Sequence, residues 1–317
     1  MAGRGSIDTG KMIHVIGNAA VDTVIRVNML PRPGETVVAL GASEDLGGKG
    51  ANQAVAAARC GASVRLVAAV GDDPAGKRIR SALAREGVLM DGVTASSYAT
   101  DRCVITVDRE GENTILSLVD AARNFNPIAE TPIERWIMPG DWVVMQGNLR
   151  PTVTRDCLAL AKSKGAMTAL NPSPTYAAQD YDWTLVDLVV VNRGEARELA
   201  GGGADEAPRR LCKQGAGAVA LTLGADGAAF FSADDVFRAA APKVVTIDTV
   251  GAGDVFSGVL IAGKLLGLSW REALGAATEA ASASTAHVGV LASFPSRETM
   301  AGILKRAAPE RLQEWRQ

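Results

Sequence analysis

Short runs of apolar, mostly β-branched residues alternate with segments of helical period along most of this chain. Runs at 12–16, 64–70, 141–146, 167–170, 185–191, 218–223 and 228–232 are bounded by turn residues and predict strands. Apolar positions recur every three or four residues at 50–60, 75–86, 152–164, 194–200 and 255–268, which predicts helices. Strands apolar on both faces, each followed by a helix, imply a mostly parallel sheet covered on both sides: a doubly wound α/β fold. Two segments break the rhythm. Residues 23–46 alternate around Pro31-Arg32-Pro33-Gly34, and 103–118 alternate around Asp108-Arg109-Glu110-Gly111-Glu112. Both predict antiparallel pairs with polar turns, forming one small β-sheet lid above the strand ends where such folds bind ligands. Gly201-Gly202-Gly203-Ala204 predicts a flexible loop.

Composition narrows the function. The 317 residues can bury a large core, and a formal charge of −2 from 33 basic and 35 acidic side chains excludes nucleic acid or a membrane as main partner. Aromatics at 4% leave little for base stacking. Cys60, Cys103, Cys157 and Cys212 lie far apart, without metal or dithiol spacing. No stretch reaches the ~20 apolar residues of a membrane span. Residues 1–11 read as a disordered leader without a signal-peptide core, ahead of one domain over 12–310 in a reducing cytoplasm.

Two segments carry chemistry. Residues 245–254 read as a β-branched strand end, then the tight turn Gly251-Ala252-Gly253, then Asp254 opening an apolar helix. Outward amides at a helix N-terminus favour an anion, and Asp254 beside them can take a proton from a hydroxyl. An anion hole next to a base is what phosphoryl transfer to an alcohol needs; the bland alternative is a connector with a capping Asp. Residues 47–54 bring Gly47, Gly48, Lys49 and Gly50 straight into an alanine-rich helix, with donors from Lys49 and Asn52 in its first turn. The glycine spacing is not that of a P-loop.

These two segments, with Val191-Asn192-Arg193-Gly194-Glu195 and Thr222-Leu223-Gly224-Ala225-Asp226-Gly227 between them, resemble in order and spacing the ribokinase-like (PfkB) family of carbohydrate kinases. The resemblance implies an ATP- and Mg²⁺-dependent sugar kinase of the ribokinase branch. By this resemblance Asp254 is the base, and Gly251, Ala252 and Gly253 form the anion hole. Asn192 and Glu195 act near the phosphates and Mg²⁺. Thr222, Gly224, Asp226, Gly227, Gly253 and Thr278 line the nucleotide. Asp22, Gly48, Lys49, Asn52 and Asn148 face the sugar with Asp254. A monovalent cation, K⁺, falls to Asp248, Val250, Ser284, His287, Gly289 and Ser293, with His287 where ribokinases usually carry Arg. A homodimer through the lid is implied as well, since an open sheet edge invites pairing.

Three places depart from the ribokinase pattern. Ala20 replaces an Asn two residues before Asp22, Gln146-Gly147-Asn148 replaces Gln-x-Glu, and Asp120-Ala121-Ala122 replaces Gly-Ala-Asn. Losing a donor and a carboxylate leaves another sugar or a nucleoside as alternative substrates, although the lid segments lack the aromatic clamp a nucleobase needs. A catalytically silent sugar sensor is the remaining alternative.

Overall fold

The computed structural model describes residues 9–110, 112–175, 181–203 and 205–308. The main sheet holds nine strands. Seven are mutually parallel: β1 (Ile13–Ile16), β4 (Val64–Gly71), β5 (Leu89–Ser96), β8 (Trp142–Gln146), β9 (Met167–Asn171), β10 (Leu188–Asn192) and β11 (Ala218–Thr222). Antiparallel β12 (Ala228–Ser232) and β13 (Val236–Ala239) close one edge, in the order β13-β12-β11-β10-β9-β8-β1-β4-β5.

Strand residues alternate between two cores, which is why these runs read as apolar throughout. Leu188 and Val190 face one core; Val189 and Val191 face the other. The first core packs beneath α1 (Lys49–Arg59), α2 (Pro74–Arg85), α9 (Ala252–Leu265), α10 (Trp270–Ser284) and α11 (Arg297–Ala307). The second lies under α3 (Asp120–Asn124), α4 (Pro127–Glu130), α5 (Ile133–Trp136), α6 (Pro151–Ser163), α7 (Arg193–Ala200) and α8 (Glu206–Lys213). Small residues let α1 and α9 touch backbone to backbone. A Cβ on Gly258 would stand 2.6 Å from the Gln53 carbonyl oxygen and 2.7 Å from the Ala56 Cβ.

The two lid segments form one sheet of four strands, as expected. It contains β2 (Ala20–Arg26), β3 (Gly41–Gly47), β6 (Asp101–Val107) and β7 (Asn113–Leu118), ordered β3-β2-β6-β7. Each segment is an antiparallel pair, and a parallel joint between β2 and β6 unites them, with Asp22 opposite Cys103.

Several boundaries need correction. The strand expected at 185–191 begins only at Leu188, because Trp183–Leu185 forms a 3₁₀ turn capped by Asp182. No strand forms at 245–247, where Val245 and Ile247 are 82% and 60% exposed and no neighbouring strand pairs with them. Of the expected 1–11 leader, residues 1–8 lie outside the described residues, whereas the Lys11 Nζ donates to the Pro139 carbonyl at 2.6 Å. Ala204 of the glycine loop, Gly111 of the lid turn and the end of the expected domain beyond Ala308 also lie outside them.

Candidate active site

The opening of α9 is built around Gly251. Its φ of 80° is left-handed, and a Cβ there would meet the Phe294 ring at 2.9 Å, so a side chain is excluded by both conformation and space. Among the described residues, the Gly251 and Gly253 amides find no protein acceptor, while the Ala252 amide donates to the Thr249 carbonyl at 3.3 Å. Two of the three expected anion-hole donors therefore stand free. Asp254 follows in the first helical turn, buried. Its Oδ2 accepts from the Asn52 Nδ2 at 3.0 Å, and its Oδ1 from the Gln53 Nε2 at 3.1 Å. Gln53 is oriented in turn: its Oε1 accepts from the Gln146 Nε2 at 2.8 Å. The close contact at Gly258 is what lets both α1 side chains reach α9.

Two cavities meet at this turn. One, of 240 Å³, is lined by Lys49, Asn192, Glu195, Gly251, Gly253 and Asp254 among others. The second, of 530 Å³, is lined by Thr222, Gly224, Gly227, Gly253, Phe256 and Thr278 among others. Thr222, Thr249 and Gly253 line both, so the two spaces adjoin at the turn. Asn192 and Glu195 form a reciprocal cap on α7, each side chain accepting from the other's amide at 2.9 Å. They combine the capping role with a place in the smaller cavity. Thr278 lines the larger one while its hydroxyl donates to the Leu274 carbonyl at 2.8 Å. Asp226 does not line either cavity. Its carboxylate turns outward onto the Arg193 guanidinium at 2.6 Å, against the expected nucleotide contact.

On the sugar side, Asp22 is buried with its carboxylate laid over Gly47, where a Cβ would stand 2.0 Å from Oδ1. Burial pushes its carboxyl up to about 6; a hydrogen bond from the Cys103 thiol opposes this, while Asp254 and Asp45 add to it and Lys49 opposes it. Asp22 Oδ1, Asn52 Oδ1, Asn148 Oδ1 and Gln146 Oε1 are all buried without a partner. Buried acceptors left unpaired are destabilising, so such a set marks where a polar ligand belongs. Gly48 lies against β2, a Cβ there falling 2.8 Å from the Ala20 amide nitrogen.

Residues 245–250 and 284–293 form a second, carbonyl-rich turn. Asp248 accepts from the Val250 amide at 3.0 Å and from the Gly289 amide at 3.1 Å. The Ser284 carbonyl accepts from the His287 amide at 3.3 Å; Ser293 Oγ donates to the Val290 carbonyl at 2.8 Å, and the His287 side chain is exposed. Among the described residues, the carbonyls of Asp248, Val250, Gly289 and Ser293 accept no backbone hydrogen bond outside helices and strands. That donor set fits a hard monovalent cation, and no cluster of three or more His, Cys, Asp or Glu exists among the described residues for a tightly caged divalent one. Asp45 of β3 reaches this turn, accepting from the Val290 and Leu291 amides at 3.2 and 3.0 Å, and so pins the lid to it.

Gln53, Gln146 as its partner, Asp45 and Cys103 at the sugar carboxylate were not legible as site residues from motif spacing. Only the adjacency of Gln53 to Asn52 in one helical turn hinted at the first.

The sequence model of the pfkB family carbohydrate kinases matches residues 11–297. Ribokinase of Haemophilus influenzae is 32% identical over 305 residues, covering 94% of this chain and 99% of its own length. Ribokinase of Thermotoga maritima superposes with a TM-score of 0.85 at 26% identity, over 93% of this chain and 99% of its own. Arabidopsis thaliana ribokinase complexed with ribose and ATP gives 0.84 at 25% identity, over 93% and 98%. With its glycine turn, its buried aspartate and its lid all in the expected order, the chain belongs to the pfkB family of carbohydrate kinases.

Proposed function

We propose that this protein transfers the γ-phosphoryl group of ATP to a hydroxyl of a small sugar, with Asp254 as the base. The observation that carries the reading is the position of Asp254. Its buried carboxylate stands beside free helix-start amides, bonded to Asn52, whose own oxygen is unpaired, and in the wall of the smaller of two adjoining cavities. The sugar hydroxyl attacks the γ-phosphorus as its bond to the β,γ-bridging oxygen breaks and ADP leaves; the hydroxyl proton passes to Asp254, and the Gly251 and Gly253 amides receive the charge on the phosphoryl oxygens. Asn52 and Gln53 hold the carboxylate in line, which is where positioning gives its rate advantage. The nucleotide occupies the larger cavity, with Thr278 at its far wall. Glu195 and Asn192, in the smaller cavity, would hold Mg²⁺, which would supply neutralisation of phosphate charge. K⁺ fits the carbonyl turn around Asp248, directly behind the anion hole.

Asp22, Gly48, Lys49, Asn52 and Asn148 take the sugar hydroxyls. The lid, folded over them, excludes water and limits wasteful ATP hydrolysis. Lid sheets pair between two copies through the open β7 edge, where Ile115, Leu116 and Leu118 are exposed. Among the described residues no helix is long and apolar enough to cross a membrane.

The test is ADP release with Mg·ATP and K⁺ over pentoses, hexoses, deoxysugars and nucleosides, for the parent and for Asp254→Asn. Turnover with a sugar, abolished in Asp254→Asn, is the expected result. Turnover with nucleosides alone, or tight sugar binding without ADP release, replaces the proposal with a nucleoside kinase or a silent sensor.

A further inference from the structure

The lid row nearest the body carries a carboxylate that no motif singles out. In the parallel joint, Ala20 of β2 stands in register with Asp101 of β6, one pleat before Asp22 and Cys103. Register partners point to the same side of a sheet, and residues two apart on a strand share a face. Asp101 therefore lies on the face that carries Asp22 and the Cys103 thiol. It is 2% exposed. Its Oδ1 accepts from the Ala121 and Ala122 amides at 3.0 and 3.4 Å, whereas its buried Oδ2 has no partner. Burial pushes this carboxyl up to about 7, against the pull of the two amides, with Asp120 adding repulsion.

Two departures from the ribokinase pattern meet at this side chain. Ala20, in place of Asn, is its register partner, and Ala121 and Ala122, in place of the Gly-Ala-Asn turn, are the residues whose amides it holds. The polar group missing from β2 is present on the next strand, in the same pleat row. We infer that Asp101 is a specificity-determining sugar ligand, its Oδ2 accepting a hydroxyl adjacent to the one bound by Asp22. The inference rests on the sugar-binding part of the function proposed above and adds the class of sugar.

A carboxylate accepts, and a carboxyl that keeps its proton donates as well. In either state the unpartnered Oδ2 of Asp101 is satisfied by a hydroxyl, and Asp22 requires a second one beside it. The acceptor is a sugar with two adjacent free hydroxyls. A deoxysugar leaves a buried oxygen unpaired, the situation that polar pockets reject most strongly.

Asp101→Asn tests this while keeping an oxygen for the Ala121 and Ala122 amides. The KM for the sugar should rise about 10- to 100-fold, with the KM for ATP unchanged and the melting temperature not lowered. The exchange variant, Ala20→Asn with Asp101→Gly, returns the polar group to β2 and should recover most of the lost sugar affinity. An unchanged sugar KM in Asp101→Asn overturns the inference, as does a lowered melting temperature as its only effect. If Asp101→Asn fails to fold, the exchange variant is set against Asp101→Gly alone: an equal sugar KM in the two overturns it. Calorimetric sugar binding without ATP separates the two readings. Binding lost in Asp101→Asn, in a protein without turnover, keeps the ligand assignment and removes the kinase. Turnover insensitive to Asp101→Asn does the opposite, and a parent that neither binds nor phosphorylates any sugar overturns both.

Discussion

Replacing Gln53 by Leu keeps its volume and removes two buried hydrogen bonds at once. The Gln53 Nε2 stands 3.1 Å from Asp254 Oδ1, and its Oε1 accepts from Gln146 at 2.8 Å. Losing a bond to a charged acceptor costs about 1.5–3 kcal/mol. Leaving the Gln146 amide buried without an acceptor, when its own Oε1 is already unpaired, adds about 1–3 kcal/mol. Gln53→Leu should therefore lower unfolding stability by about 2.5–6 kcal/mol, read as a lower urea midpoint at constant slope. Gln146→Leu in the same chain removes the stranded donor, so the double variant should recover about 1–3 kcal/mol of the summed single losses. Asp254 would keep only Asn52 as a donor, and kcat should fall about 10- to 100-fold, with the KM for ATP unaffected. A Gln53→Leu protein as stable as the parent, or a double variant whose losses simply add, would refute the relay from Gln146 through Gln53 to Asp254.

Gly47→Ala places a Cβ 2.0 Å from the Asp22 carboxylate; the sugar KM should rise about tenfold or more while the KM for ATP holds, since a displaced carboxylate loses its hydroxyl partner. Gly251→Ala forces a side chain into a φ of 80° and against Phe294, and kcat should drop about 100-fold as the free amides turn away. Stability should decline from about pH 4 to about pH 7. Burial raises Asp22 to about 6 and Asp101 to about 7 from 3.8, so the folded chain keeps protons that the unfolded chain releases. Their contribution is full below the unfolded value and is lost as pH rises through about 6 and about 7, on the order of 3 kcal/mol for Asp22. Urea unfolding across this range should show the slope, and Asp22→Asn with Asp101→Asn should flatten it; a parent whose stability rises over the same range contradicts the burial argument.

The sheet was legible because parallel strands buried on both faces announce themselves as unbroken apolar runs. β5 escaped because it is an edge strand interrupted by Asp91-Gly92, with Leu89 exposed. The stretch at 245–247 misled for the opposite reason: β-branched residues favour a strand only where a partner strand exists. The anion-hole turn and Asp254 were legible because their chemistry is local, confined to four consecutive residues. Gln53 and Asp101 were not. One acts across a helix crossing and the other across a strand register, and neither relation is written in local spacing. Asp226, by contrast, matched a motif position, yet the nearby Arg193 captures it.

The backbone contact between α1 and α9 at Gly258 has a consequence for how this protein can evolve or be engineered. The Asp254 carboxylate hangs from one helix and its two donors from the other, so interaxial distance, rather than any loop, sets their geometry. Filling that seam, for example with Ala56→Val or Gly258→Ala, is the sort of change made in search of thermal robustness, yet here it would wedge the helices apart. Displacement on the order of 1 Å can lower a rate about a hundredfold. Overpacking of this kind also costs about 1–3 kcal/mol of stability and separates Asn52 from Asp254, so stability, sugar affinity and turnover would fall together at this one seam.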